Sequence, residues 1–460
     1  MNGKNANAVD TRTTVGYAFG EFGSQFSWYM INSYLMIFYT DIVGLAAGTI
    51  SLIMLIARVW DAVNDPMMGM LCDRTNTKYG RFRPYIMFAP PFLAIFNILT
   101  FTVFPLEGVT KALVCLVCYV GTGMLYTIVA TAYASMVNVI ANTSEGRTKL
   151  KAARNFGNAA SQIILSAIAM PLILYFGQSD VATAKGYFWT VVVLSVIMIP
   201  CFVIVSVCCK EKYVPKYDPQ TASIEKKRSI GESVRTILKN DQLVIVVINT
   251  LGGTIGIMGR MSLLAYYVIY VVGSYTMIAP IYVIMNVGNL LGSALIPAMT
   301  RRFGKRNYAV GLNILMIVSF VLMYMFPVNN VLYLGGMSFL VGVSNSAQGV
   351  IYGMVSDSID YGEWKTGNKE VGLSFSFLSL SVKIATAVCG SVGVLLLAAS
   401  GYVANAQQTA EAMNGINLVV NIFPAVCVGI SLIPMLFYKL SNEKMAQIAK
   451  DLAERNGAKA

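Results

Sequence analysis

Long apolar runs of about twenty residues recur along the whole chain and alternate with short polar connections. A helix of that length crosses the hydrocarbon core of a bilayer, so the pattern predicts an all-α polytopic membrane protein. The composition agrees, with 56% apolar and 12% charged residues. Twelve transmembrane helices are predicted, at residues 14–40, 49–71, 84–106, 111–141, 152–177, 187–209, 242–272, 275–300, 308–327, 331–357, 371–400 and 411–439.

The basic residues indicate on which side of the membrane each connection lies. The chain has 34 Lys and Arg, a formal net charge of +12 and no histidine. Of these 34, 29 fall at the two ends of the chain or in alternate connections. Cytoplasmic connections are enriched in Lys and Arg, so we predict a bacterial-type inner membrane protein with both termini in the cytoplasm. A nucleic-acid partner is excluded, because no basic, aromatic-rich domain lies outside the spans.

One hydrophilic segment divides the chain into two halves of six predicted spans each. We predict an N-terminal half at 1–209, a cytoplasmic loop at 210–241, a C-terminal half at 242–439 and a cytoplasmic tail at 440–460. The sequence DRTNTKYGRFRP after the second span is echoed by TRRFGKRNYA after the eighth. Basic turns with a glycine are common in cytoplasmic connections, but the matching place favours a duplication. Two parallel six-helix halves are the plan of the major facilitator fold.

The second predicted span contains charges that a membrane helix normally avoids. A charged residue at mid-span costs about 2.5–3.5 kcal/mol, so it has to be paired, hydrated or used. Asp61 and Asp65 lie one turn apart on one face, and two carboxylates so close need a proton or a bound cation. Oxygen ligands suit Na⁺ or H⁺, and Asn64 offers a further oxygen nearby. The alternative is an ion pair between Arg58 and Asp61, which explains one aspartate but not the second.

The first predicted span has a polar and aromatic face. Glu21, Gln25, Trp28 or Tyr29, and Asn32 recur at spacings of three and four residues, which places them on one side of a helix. In lipid this face has to point inward. Its amide, carboxylate and aromatic groups suit a sugar, which offers hydroxyls to hold and CH-rich faces to stack on. The alternative is hydrogen bonding between helices.

A similar face is predicted on the eleventh span, where Ser376 and Ser379 precede Lys383, the one charge of that helix. Lys383 either binds the substrate or neutralises an aspartate of the other half, and the sequence allows both. Gln348, on the tenth span, completes the predicted set of substrate-binding residues.

Several motifs, in the same order and at similar spacings, resemble those of the glycoside-pentoside-hexuronide:cation symporters, the family of the melibiose permeases and glucuronide carriers. The resemblance covers nearly the whole chain and implies a major facilitator fold. The motifs are YTDIVGL (39–45), ARVWDAVNDPMMG (57–69), KYGRFRPY (78–85), KNDQL (239–243) and DSIDYGEWKTG (357–367).

The resemblance implies roles for individual residues. Asp61 and Asp65, with Asn64 and Thr127, are implied to form the coupling-cation site, which is a metal site if the cation is Na⁺. Arg58 is expected to balance charge there.

The resemblance also implies that Arg154 and Lys383 lie at or beside the sugar site, with Gln25 at the first-span contact. The chain departs from the melibiose permeases here, because Gln25 and Ala130 stand where those proteins carry acidic residues. Such a pocket suits another glycoside, a pentoside or a hexuronide. Glu21 matches an acidic position of the glucuronide-type members, so the sugar stays open.

Together these features predict a secondary active transporter that couples Na⁺ or H⁺ to symport of a sugar by alternating access. The alternative is a major facilitator transporter of a lipid, drug or other amphiphile, for which the 25 methionines could line an adaptable pocket. An enzyme is not predicted, because the sequence shows no nucleophile with a base, no histidine and no phosphate loop. The expected partners are the sugar, a monovalent cation and the lipid bilayer, with no cofactor.

Overall fold

The computed structural model describes residues 9–75, 77–213, 239–327, 330–366 and 371–457. These residues are helical nearly throughout, and within them no strand forms beyond an isolated bridge between Thr77 and Gly80. The helices of the first half of the chain are α1 (Thr11–Ile37), α2 (Ala47–Arg74), α3 (Arg83–Thr100), α4 (Gly108–Ile140), α5 (Ser144–Gly177) and α6 (Ala184–Cys208).

In the described residues from 239 onward, the chain forms nine helices and two π-helical segments. Another π-helical segment, Phe38–Ile42, continues α1. The helices are α7 (Asp241–Tyr266), α8 (Ile278–Phe303), α9 (Lys305–Met325), α10 (Val331–Asn345), α11 (Ala347–Thr366), α12 (Val371–Ala399), α13 (Ala410–Asn417), α14 (Phe423–Met435) and α15 (Asn442–Gly457), with π-helical segments at Tyr267–Val272 and Leu418–Ile422.

Nine helices in the described part of the chain are long and apolar enough to cross a membrane. The predicted spans outside this set are 14–40, 84–106 and 331–357. The polar face of α1 lowers its hydropathy, and the 18 residues of α3 include Arg83, Asn97 and three prolines. The span predicted at 331–357 corresponds to α10 and the first half of α11, with a one-residue interruption at Ser346. At the interruption the Ser346 N–H donates to the carbonyl of Val343, three residues back, at 3.2 Å.

The chain forms two compact units. The first comprises Met1–Ile224 and Ser274–Val283, and the second comprises Glu225–Gly273 and Ile284–Ala460. In the first unit α1 packs against α5 and α6, and in the second α7 packs against α12 and α14. Each unit is therefore organised around its own first helix.

A shared glycine spacing explains this packing. Both central helices carry the pattern GxxxGxxG, at 16–23 in α1 and at 252–259 in α7. A side chain at Gly16 would overlap Cys208 of α6, and one at Gly252 would overlap Ser431 of α14. Helices of membrane proteins approach closely where such small residues face a neighbour. The equal spacing of these glycines supports an internal duplication.

Replacement of Gly252 by alanine is expected to destabilise the second unit. Besides overlapping Ser431, its Cβ would lie 2.6 Å from the carbonyl oxygen of Cys427. Overpacking costs about 1–3 kcal/mol, which exceeds the gain of about 1 kcal/mol from the helix propensity of alanine. Thermal unfolding in detergent measures the change. Gly311→Ala is the matched control, since a Cβ there meets nothing within 4 Å and its midpoint should not fall. Equal midpoints for the two variants would contradict the prediction.

Candidate functional site

The charged residues of α2 form the predicted cation-binding part of the candidate site. Arg58 Nη1 lies 3.2 Å from Asp61 Oδ2, and the two side chains are 17% and 18% exposed. The ion pair considered from the sequence is therefore present. Asp65 is bound differently, because it accepts a hydrogen bond from the Thr127 hydroxyl of α4 at 3.2 Å. The two carboxylates thus have different environments on one helix face.

Asn64 lies between these aspartates in the sequence and is 1% exposed. Neither its amide nitrogen nor its amide oxygen has a hydrogen-bond partner within the described residues. Buried amide groups are nearly always hydrogen-bonded, so this side chain keeps unused hydrogen-bonding capacity within one helical turn of both aspartates. A carbonyl oxygen is a hard donor, which suits a small cation.

Helix α4 closes this part of the site. A Cβ at Gly123 would lie 3.1 Å from Asp61 Oδ1, so the glycine leaves room for the carboxylate. On the same helix the ring of Tyr126 stacks on Trp28 of α1 with centroids 4.4 Å apart. The Arg58 guanidinium lies 5.6 Å from the Trp28 ring centroid. An aromatic pair therefore adjoins the Arg58–Asp61 ion pair.

The polar face of α1 is matched by a polar face of α5. Glu21 lies 2.8 Å from the guanidinium of Arg154, and Asn158 donates to the same carboxylate at 3.0 Å. One turn further along, Gln162 donates to the Gln25 side-chain oxygen at 2.9 Å. Asn158 and Gln162 were not among the residues predicted from the sequence. Their spacing of four and eight residues from Arg154 places them on the same helix face, and this spacing could have identified them from the sequence.

The remaining α1 candidates lie beyond this ladder of polar pairs. The Tyr29 ring is 1% exposed and packs edge-on against Tyr282, with centroids 6.3 Å apart. Tyr34, fully buried, meets both rings at similar distances, and its hydroxyl has no partner among the described residues. Asn32 is partly buried. The roles of Tyr29 and Asn32 in binding stay predictions.

The second unit holds the other predicted residues. Gln348 is partly buried on α11, and its amide nitrogen lies beside Gly253 of α7. On α12 the chain exposes Ser379 and partly buries Lys383. Their roles also stay predictions.

A buried arginine of α7 was not assigned a role from the sequence. Arg260 is 2% exposed. Its guanidinium donates to the side chain of Asn421 and lies over the rings of Tyr267 and Phe320, at 5.2 and 5.8 Å from their centroids. Amide and aromatic groups thus solvate this charge inside the second unit.

Among the described residues no group of three or more His, Cys, Asp and Glu side chains could hold a metal ion. The predicted cation site is of another kind, with the Asp61 and Asp65 carboxylates and the Asn64 amide of α2 and the Thr127 hydroxyl of α4.

Helices long and apolar enough to cross a membrane, with paired charges inside them, are typical of membrane transporters. The chain belongs to the family described as MFS/sugar transport protein, whose profile matches residues 16–442. It is thus a major facilitator protein and a transporter, not an enzyme, as the sequence predicted.

Similar proteins cover nearly the whole chain. An isoprimeverose transporter of Lactiplantibacillus pentosus is 32% identical, with 98% of this chain and 93% of that protein covered. A glucuronide carrier protein homolog of Escherichia coli is 27% identical, with 96% of each covered. Among solved structures, a D-xylose-proton symporter has a TM-score of 0.58 at 15% identity, with 90% of this chain and 95% of that chain covered. At that identity the likeness supports the fold alone.

Proposed function

We propose that the protein is a secondary active symporter that couples inward movement of Na⁺ or H⁺ to uptake of a neutral sugar by alternating access. Relatives named as an isoprimeverose transporter and as a putative glycoside/cation symporter support this cargo and this coupling. The observation that carries the proposal is that Asp61, Asn64 and Asp65 share about one turn of α2 in the first unit, where Thr127 of α4 donates to Asp65 and the buried Asn64 amide has no hydrogen-bond partner among the described residues. We place both termini in the cytoplasm, as the basic connections predict.

Charge balance supports binding of one monovalent cation. Asp61 and Asp65 carry two formal negative charges, and Arg58, which pairs with Asp61, carries one positive charge. One Na⁺ or one proton would make the cluster neutral overall. A buried carboxylate is costly to leave uncompensated, so the cluster favours uptake of that cation.

The α1–α5 face supports a neutral rather than an anionic sugar. The Arg154 guanidinium is bound by Glu21, so a hexuronide carboxylate would have to displace an internal one. Displacement would leave Glu21, whose side chain is 8% exposed, without its cation. The amides of Gln25, Asn158 and Gln162 offer donors and acceptors to sugar hydroxyls. This neutral face departs from the hexuronide option that the resemblance left open.

A transport panel in reconstituted vesicles tests the proposal. We expect labelled pentosides or hexosides to accumulate under a Na⁺ gradient or a proton gradient, and hexuronides to compete poorly. Accumulation driven by one gradient but not the other identifies the cation. Cation-independent transport of every sugar would contradict symport. Failure of hydrophilic sugars to compete with an amphiphilic substrate would favour the alternative cargo.

A further inference from the structure

A cavity of about 630 Å³ lies in the second unit, where α8 ends, α9 begins and the chain leaves α14. It is well separated in sequence from every residue proposed above for cation or sugar binding. One acidic residue, Glu443, lines it. The basic residues that line it are Arg301, Arg302, Lys305, Arg306 and Lys439.

Few of these basic side chains are paired with a carboxylate in the described part of the chain. Lys305 pairs with Asp357 at 2.7 Å. Arg306 donates to the backbone carbonyls of Met435 and Leu436, which leaves its charge uncompensated. In the described part of the chain no carboxylate forms an ion pair with Arg301, Arg302 or Lys439.

The start of α9 adds backbone donors to the cavity. The helix begins at Lys305, after Gly304 in a left-handed conformation with φ of 77°, and no side chain caps it. Lys305, Arg306 and Asn307 all line the cavity. The first N–H groups of a helix carry no intrahelical bond and favour an anion.

The first unit shows what occupies the equivalent place there. Gly80, also left-handed with φ of 114°, precedes α3. The Glu211 carboxylate accepts hydrogen bonds from the backbone N–H groups of Arg81, Phe82 and Arg83, each at 2.8 Å. This helix start therefore holds an anion that the chain itself supplies.

The correspondence extends to a neighbouring arginine. Arg83 donates to the carbonyl of Ser206 near the end of α6, as Arg306 does to carbonyls at the end of α14. In the second unit the candidate internal anion is Glu443, and it makes no hydrogen bond within the described residues. The second unit thus has the cationic surroundings of an anion site without the internal anion of the first.

We propose that this cavity binds a phosphate group, supplied by the headgroup of an anionic membrane phospholipid. Three exposed apolar side chains on its lining, Phe303, Leu436 and Phe437, favour a lipid over a soluble phosphate, because acyl chains can lie against them. Arg301 and Arg302 bind the phosphate oxygens, and the N–H groups of α9 complete the site. Basic pockets at the cytoplasmic side of membrane proteins suit such headgroups.

Equilibrium binding of short-chain phosphatidylglycerol to the full chain in detergent tests the proposal. We expect phosphatidylglycerol to bind more tightly than phosphatidylcholine. The double variant Arg301→Gln/Arg302→Gln should bind about 30-fold more weakly, since each basic residue near an anionic headgroup contributes about 1 kcal/mol. Arg12→Gln/Lys151→Gln, which removes two exposed cations elsewhere, is the matched control. Glu443→Gln should tighten binding.

The possible results separate the sources of the phosphate. Competition by millimolar inorganic phosphate, with loss in the double variant, supports the phosphate site and makes a soluble phosphate its ligand. Equal binding of the two lipids by the unmodified protein, or equal binding by the double variant and its control, overturns the proposal. If the double variant does not fold, the Glu443→Gln variant provides the test. The proposal is overturned if that variant binds phosphatidylglycerol no more tightly than the unmodified protein and binds the two lipids equally.

Discussion

Asp65→Asn is expected to abolish sugar accumulation while sugar still moves down its own gradient. The amide keeps the shape of the side chain and its hydrogen bond to Thr127, but it removes the charge that attracts the cation. A single charge moving through 100 mV supplies about 2.3 kcal/mol, or about 50-fold accumulation. In the variant the internal-to-external sugar ratio should fall to about one, because the sugar then crosses the membrane without a bound cation and the cation gradient no longer drives it.

The measurement compares gradient-driven uptake with exchange of labelled for unlabelled sugar in the same vesicles. We expect uptake to disappear and exchange to persist. Asp61→Asn should also abolish accumulation, since it removes the carboxylate that pairs with Arg58. Glu107→Gln makes the same chemical change at an exposed position before α4 and should leave both activities intact. Normal accumulation in Asp65→Asn and Asp61→Asn would show that the cation binds elsewhere.

Glu21→Gln is expected to change which sugars the protein accepts. The substitution keeps a side-chain oxygen for Asn158 but frees the charge of Arg154. A hexuronide carboxylate can then pair with Arg154 without displacing an internal anion. Because the Arg154 side chain is 39% exposed, solvent weakens the effect, and we expect about a ten-fold rise in hexuronide uptake relative to neutral sugar.

The double variant Glu21→Gln/Arg154→Gln distinguishes charge from structure. It makes the α1–α5 face neutral again, so preference for neutral sugar should return and hexuronide uptake should fall. Exchange assays with both sugar types measure the ratio, with Glu107→Gln as the control for carboxylate loss. If Glu21→Gln leaves the ratio of hexuronide to neutral-sugar uptake unchanged, Arg154 does not contact the sugar carboxylate. This result would not bear on cation coupling, which the Asp65 variant tests separately.

The sequence predicted the helices well where length and apolarity decide them. Hydropathy did not register the one-residue interruption at Ser346 within the span predicted at 331–357, because all residues around it are compatible with a membrane helix. The polar face of α1 was also predicted, since a spacing of three and four residues needs no knowledge of neighbours.

The partners of the site residues depended on the fold. Thr127 and Asp65 are 62 residues apart on α4 and α2, and no local pattern joins them. The resemblance, not the spacing, placed Thr127 at the cation site. Likewise Asn158 becomes informative once α5 is known to face Glu21. No pattern in the sequence indicated that Asn64 is buried without a hydrogen-bond partner among the described residues.

The shared glycine spacing of α1 and α7 has a consequence for the division of labour between the repeats. Counting from the matched glycines, Glu21 corresponds to Ile257 and Gln25 corresponds to Met261. The glycine spacing has therefore been kept, while at these two positions one copy carries polar side chains and the other carries apolar ones. Selection can rebuild the recognition face of α1 for a new sugar without disturbing the helix contacts, because the glycines and the polar residues occupy different faces.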